Sequence, residues 1–299
     1  MVSRDTFSSC HPTVNFLYFG LVLLFTMCFD HPLTRIVSLA GALCYDLYLN
    51  GRKAAGFTLK YMVPMLLLTA IINPAFSHEG VTILAYLPSG NPLTLESILF
   101  GGAAALMLVA VVLWFGCYNT VMTSDKLVYL FGRVIPALSL VLSMTLRFVP
   151  KFRAQIHSVS EAQRCVGRDI SNGSVLQRLK NGVTILSIMV TWTLENAIET
   201  ADSMRGRGYG LPGRTAYSIY RFDERDKMAL LWLTFCGVTI IGAWIAGGYS
   251  WRWYPSVKFA PFYPLVVCFH FVYFALCFTP LAMDVYADRR WNKIQRGET

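Results

Sequence analysis

The sequence predicts an all-α fold: a polytopic helical membrane protein of about six transmembrane helices, with cytoplasmic helices inserted before the last two spans. Three observations carry this. Hydrophobic residues make up 55% of the 299 residues and charged residues only 14%, against about 25% charged in a soluble domain. So few charges cannot cover a water-facing surface, and the mean hydropathy of +0.48 agrees. The apolar residues are also gathered into blocks, as spans of about 20 residues require. Third, 13 of the 26 Lys and Arg fall between Arg147 and Lys227. That clustering explains the net charge of +9 by the positive-inside rule, with no need of nucleic acid as a partner.

The blocks follow in order. The first runs from Val14 to Phe29 and the second, after Asp30-His31-Pro32, from Leu33 to Leu49. The first lacks a small-residue cleavage site and passes straight into the second, so it reads as a retained span and not as a signal peptide. The third is Leu59–Phe76, with Pro64 and Pro74 inside it. The fourth, Leu95–Cys117, starts from the turn-and-cap stretch Gly90-Asn91-Pro92. The fifth and sixth are Met228–Ala246 and Phe262–Met283.

Charge orients them. The loop Asn50–Lys60 holds Arg52, Lys53 and Lys60 and is expected in the cytoplasm, whereas Ser77–Thr94 has no Lys or Arg and is expected outside. Asp125-Lys126 and the tail Arg289-Arg290-Trp291-Asn292-Lys293 return inside, which puts both termini in the cytoplasm. Trp251, Trp253 and Tyr254 then lie in the last outer loop, at headgroup level. The stretch Val134–Leu146 is apolar but only about a dozen residues long, between Arg133 and Arg147. It is expected to be a re-entrant or interfacial piece. The division expected is therefore a membrane domain over 1–146, a cytoplasmic module over 147–227 and a helical hairpin with a basic tail over 228–299.

The module over 147–227 is polar, basic and helical in period, and too long for an ordinary connection. Gly182–Met204 reads as one helix, with Ile185, Leu186, Ile188, Met189, Trp192, Ile198, Ala201 and Met204 on a broad apolar side. Glu195, Glu199 and Asp202 form an acidic stripe at i, i+4, i+7. A helix lying on anionic lipid carries Lys and Arg on its polar side, so the stripe suits protein partners or neighbouring basic helices. The helix ends in Arg205-Gly206-Arg207-Gly208-Tyr209-Gly210-Leu211-Pro212-Gly213. Cations in a last turn complement the helix dipole, and glycine and proline end the helix. That account leaves open why two arginines stand at a tip of such small residues, where a partner's carboxylate could be forked. The G-x-G-x-x-G over Gly208–Gly213 closes a helix and contains a proline, so it is no dinucleotide loop.

Several short motifs, in this order and spacing, resemble the transmembrane T component (EcfT) of energy-coupling factor transporters over nearly the whole chain. They are Ile72-Asn73-Pro74 with His78-Glu79-Gly80-Val81-Thr82, Gly90-Asn91-Pro92-Leu93-Thr94-Leu95-Glu96, Arg147-Phe148-Val149-Pro150, Ala162-Gln163-Arg164 and Arg207-Gly208-Tyr209-Gly210. The resemblance implies a non-catalytic subunit in the cell membrane of a bacterium or archaeon. Its partners would be two cytoplasmic ABC-type ATPases and a small substrate-binding membrane protein, for uptake of a vitamin, micronutrient or metal ion. It implies no cofactor. Ala-Arg-Gly-like helix tips in that family sit in grooves of the ATPases. Arg205, Gly206, Arg207 and Gly208 match the second tip, with Gly206 in place of alanine. The first tip departs, with Cys165-Val166-Gly167 where Ala-Arg-Gly is expected, so the arginine role passes to Arg164 or Arg168 beside Gly167.

Two other functions make demands on the sequence. A membrane enzyme needs clustered acids or histidines beside the spans, but Asp46, His270 and Asp284 are scattered, His78-Glu79 stands alone, and Asp223-Glu224-Arg225-Asp226 reads as a solvated cap. No catalytic or metal-ligating set is expected. An ordinary permease binding its own substrate needs polar groups at mid-membrane, of which the blocks offer few. No Walker A loop is present, so ATP hydrolysis would belong to a partner.

Overall fold

The computed structural model describes residues 6–77, 79–86, 92–209, 211, 220–247, 251–256 and 264–296. By packing, the chain forms two units: Met1–Thr123 with Tyr220–Thr299, and Ser124–Ile219. The divisions expected at 146/147 and 227/228 by composition fall inside helices.

The first unit starts with α1 (Pro12–Cys28) and α2 (Pro32–Asn50). Both open on a His-Pro pair. Proline is preorganised for the first helical position, and the Nδ1 of His11 and of His31 accepts a backbone N–H two residues on, at 3.3 Å in each case. Gly51, at φ 55°, is the whole connection to the next helix. α3 (Arg52–Phe57), a π turn (Thr58–Met62) and α4 (Val63–Phe76) make one continuous helix, Arg52–Phe76. The expected basic loop is thus the first turns of a span, because Arg and Lys are good helix formers and only Gly51 breaks the run.

The connection that follows α4, expected as a plain loop, holds a small antiparallel hairpin of β1 (Ile83–Tyr86) and β2 (Pro92–Thr94), with Ile83 opposite Thr94 and Tyr86 opposite Pro92. The Glu96 carboxylate accepts from the Thr82 hydroxyl at 2.9 Å and the Ser97 hydroxyl donates to Ser77 O at 2.7 Å, so the hairpin is tied to the start of α5 (Leu95–Val121). Pro92 belongs to β2 and Thr94 is the cap of α5; Gly90 and Asn91 lie outside the described residues, as does His78. α9 (Glu224–Ile245) and α10 (Pro264–Gln295) complete the unit.

These helices run in alternating directions between two ends. At one end His31 meets Trp251 (ring centroids 5.0 Å), Arg35 lies over Trp253 (5.9 Å) and Phe100 touches both Trp253 and Tyr254. At the other, Phe7 N donates to Asp284 Oδ1 at 2.7 Å and His11 N to Asp226 Oδ1 at 3.0 Å. The chain leaves this unit after α5 and re-enters it at α9, both at the second end. Among the described residues, four helices, Arg52–Phe76, Leu95–Val121, Glu224–Ile245 and Val266–Gln295, are long and apolar enough to cross a membrane. α1 is a shorter apolar helix, and α2 carries Arg35 and Asp46.

The core centres on Trp114 of α5, ringed by Tyr18, Phe19 and Tyr45 at centroid distances of 6.0–6.5 Å. Its indole donates to Ser38 Oγ at 3.0 Å; Ser38 pairs with Thr26 at 2.7 Å, and Thr26 with Tyr273 at 3.2 Å. Each polar group thus finds a partner where water does not reach. α4 and α5 approach so closely at Gly101 that a Cβ there would stand 2.9 Å from Ala70 O and 3.0 Å from Asn73 Cβ. Gly101→Val is therefore expected to destabilise the protein by about 1–3 kcal/mol. Gly102→Val, with open space around the added carbon, should be near neutral. Thermal melts of the two variants in detergent check this, and equal melting points would refute the close approach.

The second unit comprises α6 (Ser124–Val134), α7 (Pro136–Cys165) and α8 (Val175–Gly206). Ile135, outside the helical region at φ −133° and ψ 86°, separates α6 from α7, as expected before a proline. Apart from Val134 and Ile135, the apolar stretch expected to form a re-entrant piece is the beginning of α7, continuous with the basic segment. α7 and α8 meet where Phe152 packs edge-on against Trp192 (5.7 Å) and Lys151 donates to Asn196 Oδ1 at 2.9 Å.

Candidate functional site

The two long helices of the second unit end in the same backbone device. At the end of α7, Gly167 takes φ 79°, its N–H donates to Arg164 O at 3.0 Å, and Arg168 N–H donates to Gln163 O at 2.9 Å. At the end of α8, Gly208 takes φ 77°, its N–H donates to Arg205 O at 3.0 Å, and Tyr209 N–H donates to Met204 O at 3.0 Å. Each is a Schellman cap with glycine in the left-handed position. A side chain at Gly208 would also press on Leu211 Cδ1, 3.1 Å from an added Cβ.

Two identical caps give the residue-by-residue equivalence that sets Cys165-Val166-Gly167 against Gly206-Arg207-Gly208, as the motif spacing does. Arg164 corresponds to Arg205, Cys165 to Gly206, Val166 to Arg207 and Arg168 to Tyr209. The position occupied by Arg207 in the second tip is therefore held in the first by Val166, which is 70% exposed. Neither Arg164 nor Arg168 stands where Arg207 does.

The surroundings of the charges differ as well. Arg164 Nε lies 3.6 Å from Asp169 Oδ2, within the connection between the helices. The Ser171 hydroxyl and N–H bind the same carboxylate, at 2.6 and 2.9 Å, and hold Asp169 below the usual carboxylate range, with Arg164 adding to the effect. Arg178 Nε donates to Ile170 O at 2.7 Å and Asn181 to Asp169 O at 2.8 Å, so this connection is laced back onto the start of α8. At the second tip, neither the Arg205 nor the Arg207 side chain has a hydrogen-bond or ion-pair partner among the described residues, and both are exposed. Gly210, Pro212 and Gly213 lie outside the described residues.

Along α8, Ile185 and Met189 are buried while Leu176, Leu179, Val183, Leu186, Val190, Leu194 and Ile198 are exposed. Their spacing of three and four residues makes one apolar stripe. The broad apolar side read from the sequence is thus covered only in part. Glu195, Glu199 and Asp202 are exposed beside it.

The scattered acids and histidines of the first unit have structural tasks. Asp226 caps α9 and receives His11 N–H, Asp284 receives Phe7 N–H, and Asp46 receives the Asn50 amide at 2.7 Å. His270 pairs with His31 at 3.3 Å. Among the described residues, no three His, Cys, Asp or Glu side chains gather as a metal site. The binding of the N-terminal segment by Asp226 and Asp284 carried no signal in the sequence, because its partners are more than two hundred residues apart.

An apolar helical membrane unit joined to long helices with paired basic, glycine-closed tips defines a class of membrane protein, and similarity to known proteins says which. A family model described as CbiQ, cobalt transport protein, matches residues 6–217, and the chain belongs to that family. It is 27% identical over 230 residues to the energy-coupling factor transporter transmembrane protein EcfT of Lacticaseibacillus paracasei, covering 72% of this chain and 84% of that protein. It is 25% identical over 251 residues to the EcfT of Bacillus selenitireducens, covering 79% and 92%. The EcfT of Lactobacillus helveticus is 33% identical over a shorter stretch of 102 residues, 34% of this chain and 37% of that protein.

Proposed function

We propose that this chain is the transmembrane coupling component of an energy-coupling factor importer in a bacterial cell membrane, a non-catalytic subunit that carries ATPase motion to a separate substrate-binding membrane protein. The matching Schellman caps of α7 and α8 are the observation that carries the reading. A glycine cap makes a blunt tip that a partner's backbone can approach closely. In the second tip, Arg207 stands ready to fork onto a carboxylate of an ATPase groove. The first tip offers apolar Val166 in its place, so the two grooves it fits differ in chemistry. One is acidic and the other apolar, as two non-identical ATPase subunits would provide.

The exposed stripe of α8 fits the remaining partner. A row of Leu, Val and Ile at helical spacing suits an apolar helix of the substrate-binding subunit. Substrate choice belongs to that subunit, whether a vitamin, a micronutrient or a metal ion. Six spans with both termini and the 147–227 module in the cytoplasm satisfy the charge distribution and the alternation of the helices.

The test is co-purification of the tagged full-length chain from its own cells. The expected result is a complex with two ABC-type ATPases and a small membrane protein. Recovery of the chain alone, or transport by the chain without them, would overturn the assignment.

A further inference from the structure

A cavity of about 520 Å³ opens on the first unit between α1, α9 and α10, within the size range of about 300–1,000 Å³ usual for ligand clefts. Its walls are apolar, with Val14, Ala229, Trp232, Phe278 and Ala282 among them, and Arg225 is the charged residue that lines it. Along α9 it reaches from Arg225 to Leu233, about 12 Å of helix at 1.5 Å per residue. Arg225 lies in the first turn of α9, at the end of the unit where the N-terminal segment meets α9 and α10. The apolar trough therefore runs from one membrane edge toward the interior, with a cation where it begins.

We infer that this cavity is a binding site for one anionic phospholipid, its acyl chain in the trough and its phosphate on Arg225. The charges nearby leave Arg225 available. Asp226 accepts from the His11 and Asp223 N–H groups, Asp284 accepts from Phe7 N–H, and Glu224 is paired with Lys227. Among the described residues Arg225 has no ion pair; its Nη2 donates to the Ser9 hydroxyl at 3.3 Å, a contact that aims the fork without neutralising it. Trp232 lines the trough farther along α9, its indole N–H donating to the Thr279 hydroxyl at 3.1 Å, so that this polar pair on the cavity wall is mutually satisfied. A zwitterionic lipid would fill the trough equally well but would bring an ammonium close to the guanidinium. Headgroup charge is thus where selectivity arises. The leaflet concerned is the cytoplasmic one if the topology proposed above holds, but binding itself does not depend on that topology.

Native mass spectrometry of the full-length chain, released from nanodiscs of equal parts phosphatidylglycerol and phosphatidylcholine, tests the site. The expected result is one retained lipid, predominantly phosphatidylglycerol. Arg225→Gln should keep a lipid in the trough but lower the preference about fivefold, the equivalent of ~1 kcal/mol for one basic residue at an anionic surface. Arg225→Lys should keep most of it. Ala282→Trp, placed at an exposed wall position, should fill the trough and abolish retention of both lipids while the melting point stays near that of the wild type. Equal retention of the two lipids by the wild type would overturn the inference. So would an unchanged preference in Arg225→Gln, undiminished retention in Ala282→Trp, or a second copy of the chain in the lipid's place.

Discussion

Arg207→Ala is expected to abolish coupled uptake while leaving membrane insertion and the yield of the isolated chain unchanged. The side chain has no partner within the described residues, so its removal breaks nothing inside this protein. If it is buried against a carboxylate in an ATPase groove, however, the truncation strands that carboxylate, at a cost of about 2–5 kcal/mol. Arg207→Lys should recover part of the loss, because an ammonium carries the charge but cannot fork. If Arg207 only complemented the dipole of α8, it would contribute about 0.3–1 kcal/mol and lysine would replace it fully. The first tip behaves differently. Arg164 is exposed and pairs with Asp169 in the same chain, so Arg164→Ala should cost ~0–1 kcal/mol and leave uptake close to normal. The measurements are uptake in membrane vesicles and recovery of the ATPases with each variant. Normal uptake by Arg207→Ala, or an equal loss in Arg164→Ala, would refute the distinction between the tips.

That distinction shows where sequence reading ends. Arg205, Gly206, Arg207 and Gly208 could be placed at a helix end from residue type alone, since cations, glycine and a following proline announce a C-terminus. The motif spacing also set Val166 at the arginine position, but that neither Arg164 nor Arg168 takes that place on the cap needed its hydrogen bonds. The two tips share only Arg, Gly and their spacing, and the Schellman pairing fixes which residue lies at which position. The apolar blocks were legible as helices for an equally direct reason: a stretch of apolar residues long enough to span has few alternatives in lipid. Their edges were not. Arg52 and Lys53 looked like a loop because charge was read as exposure, yet they begin the helix Arg52–Phe76. Val134–Leu146 looked like a separate piece because its hydropathy changes sharply at Arg147. Helical hydrogen bonding is indifferent to that change, and α7 continues through it. The hairpin of β1 and β2 escaped notice because strands of four and three residues show no readable alternation. What sustains it is Glu96 and Ser97 reaching back from α5, which no local pattern reveals.

Trp114→Ala should produce the largest loss of stability in the membrane unit. The indole is fully buried among Tyr18, Phe19 and Tyr45, and Gly41 allows α2 to come close beside it: an added Cβ there would lie 3.5 Å from the Trp114 ring. Truncating a buried tryptophan costs about 3–5 kcal/mol, since the surrounding rings cannot close the void without leaving their rotamers. Trp114→Phe separates packing from hydrogen bonding. It keeps most of the ring volume and gives up the indole bond to Ser38. Ser38 still has Thr26 at 2.7 Å, so no buried hydroxyl is orphaned and the loss should be only about 1 kcal/mol. Denaturant or thermal unfolding in detergent, followed by tryptophan-independent circular dichroism, reads both. A cost for Trp114→Phe as large as for Trp114→Ala would mean that the hydrogen-bond chain from Trp114 through Ser38 and Thr26 to Tyr273, and not ring packing, holds these helices together. In either case the folded fraction of these variants should still recover the ATPases, because Trp114 belongs to the first unit and both tips to the second. A variant of Trp114 that folds but loses its ATPases would instead place this core in the path of coupling.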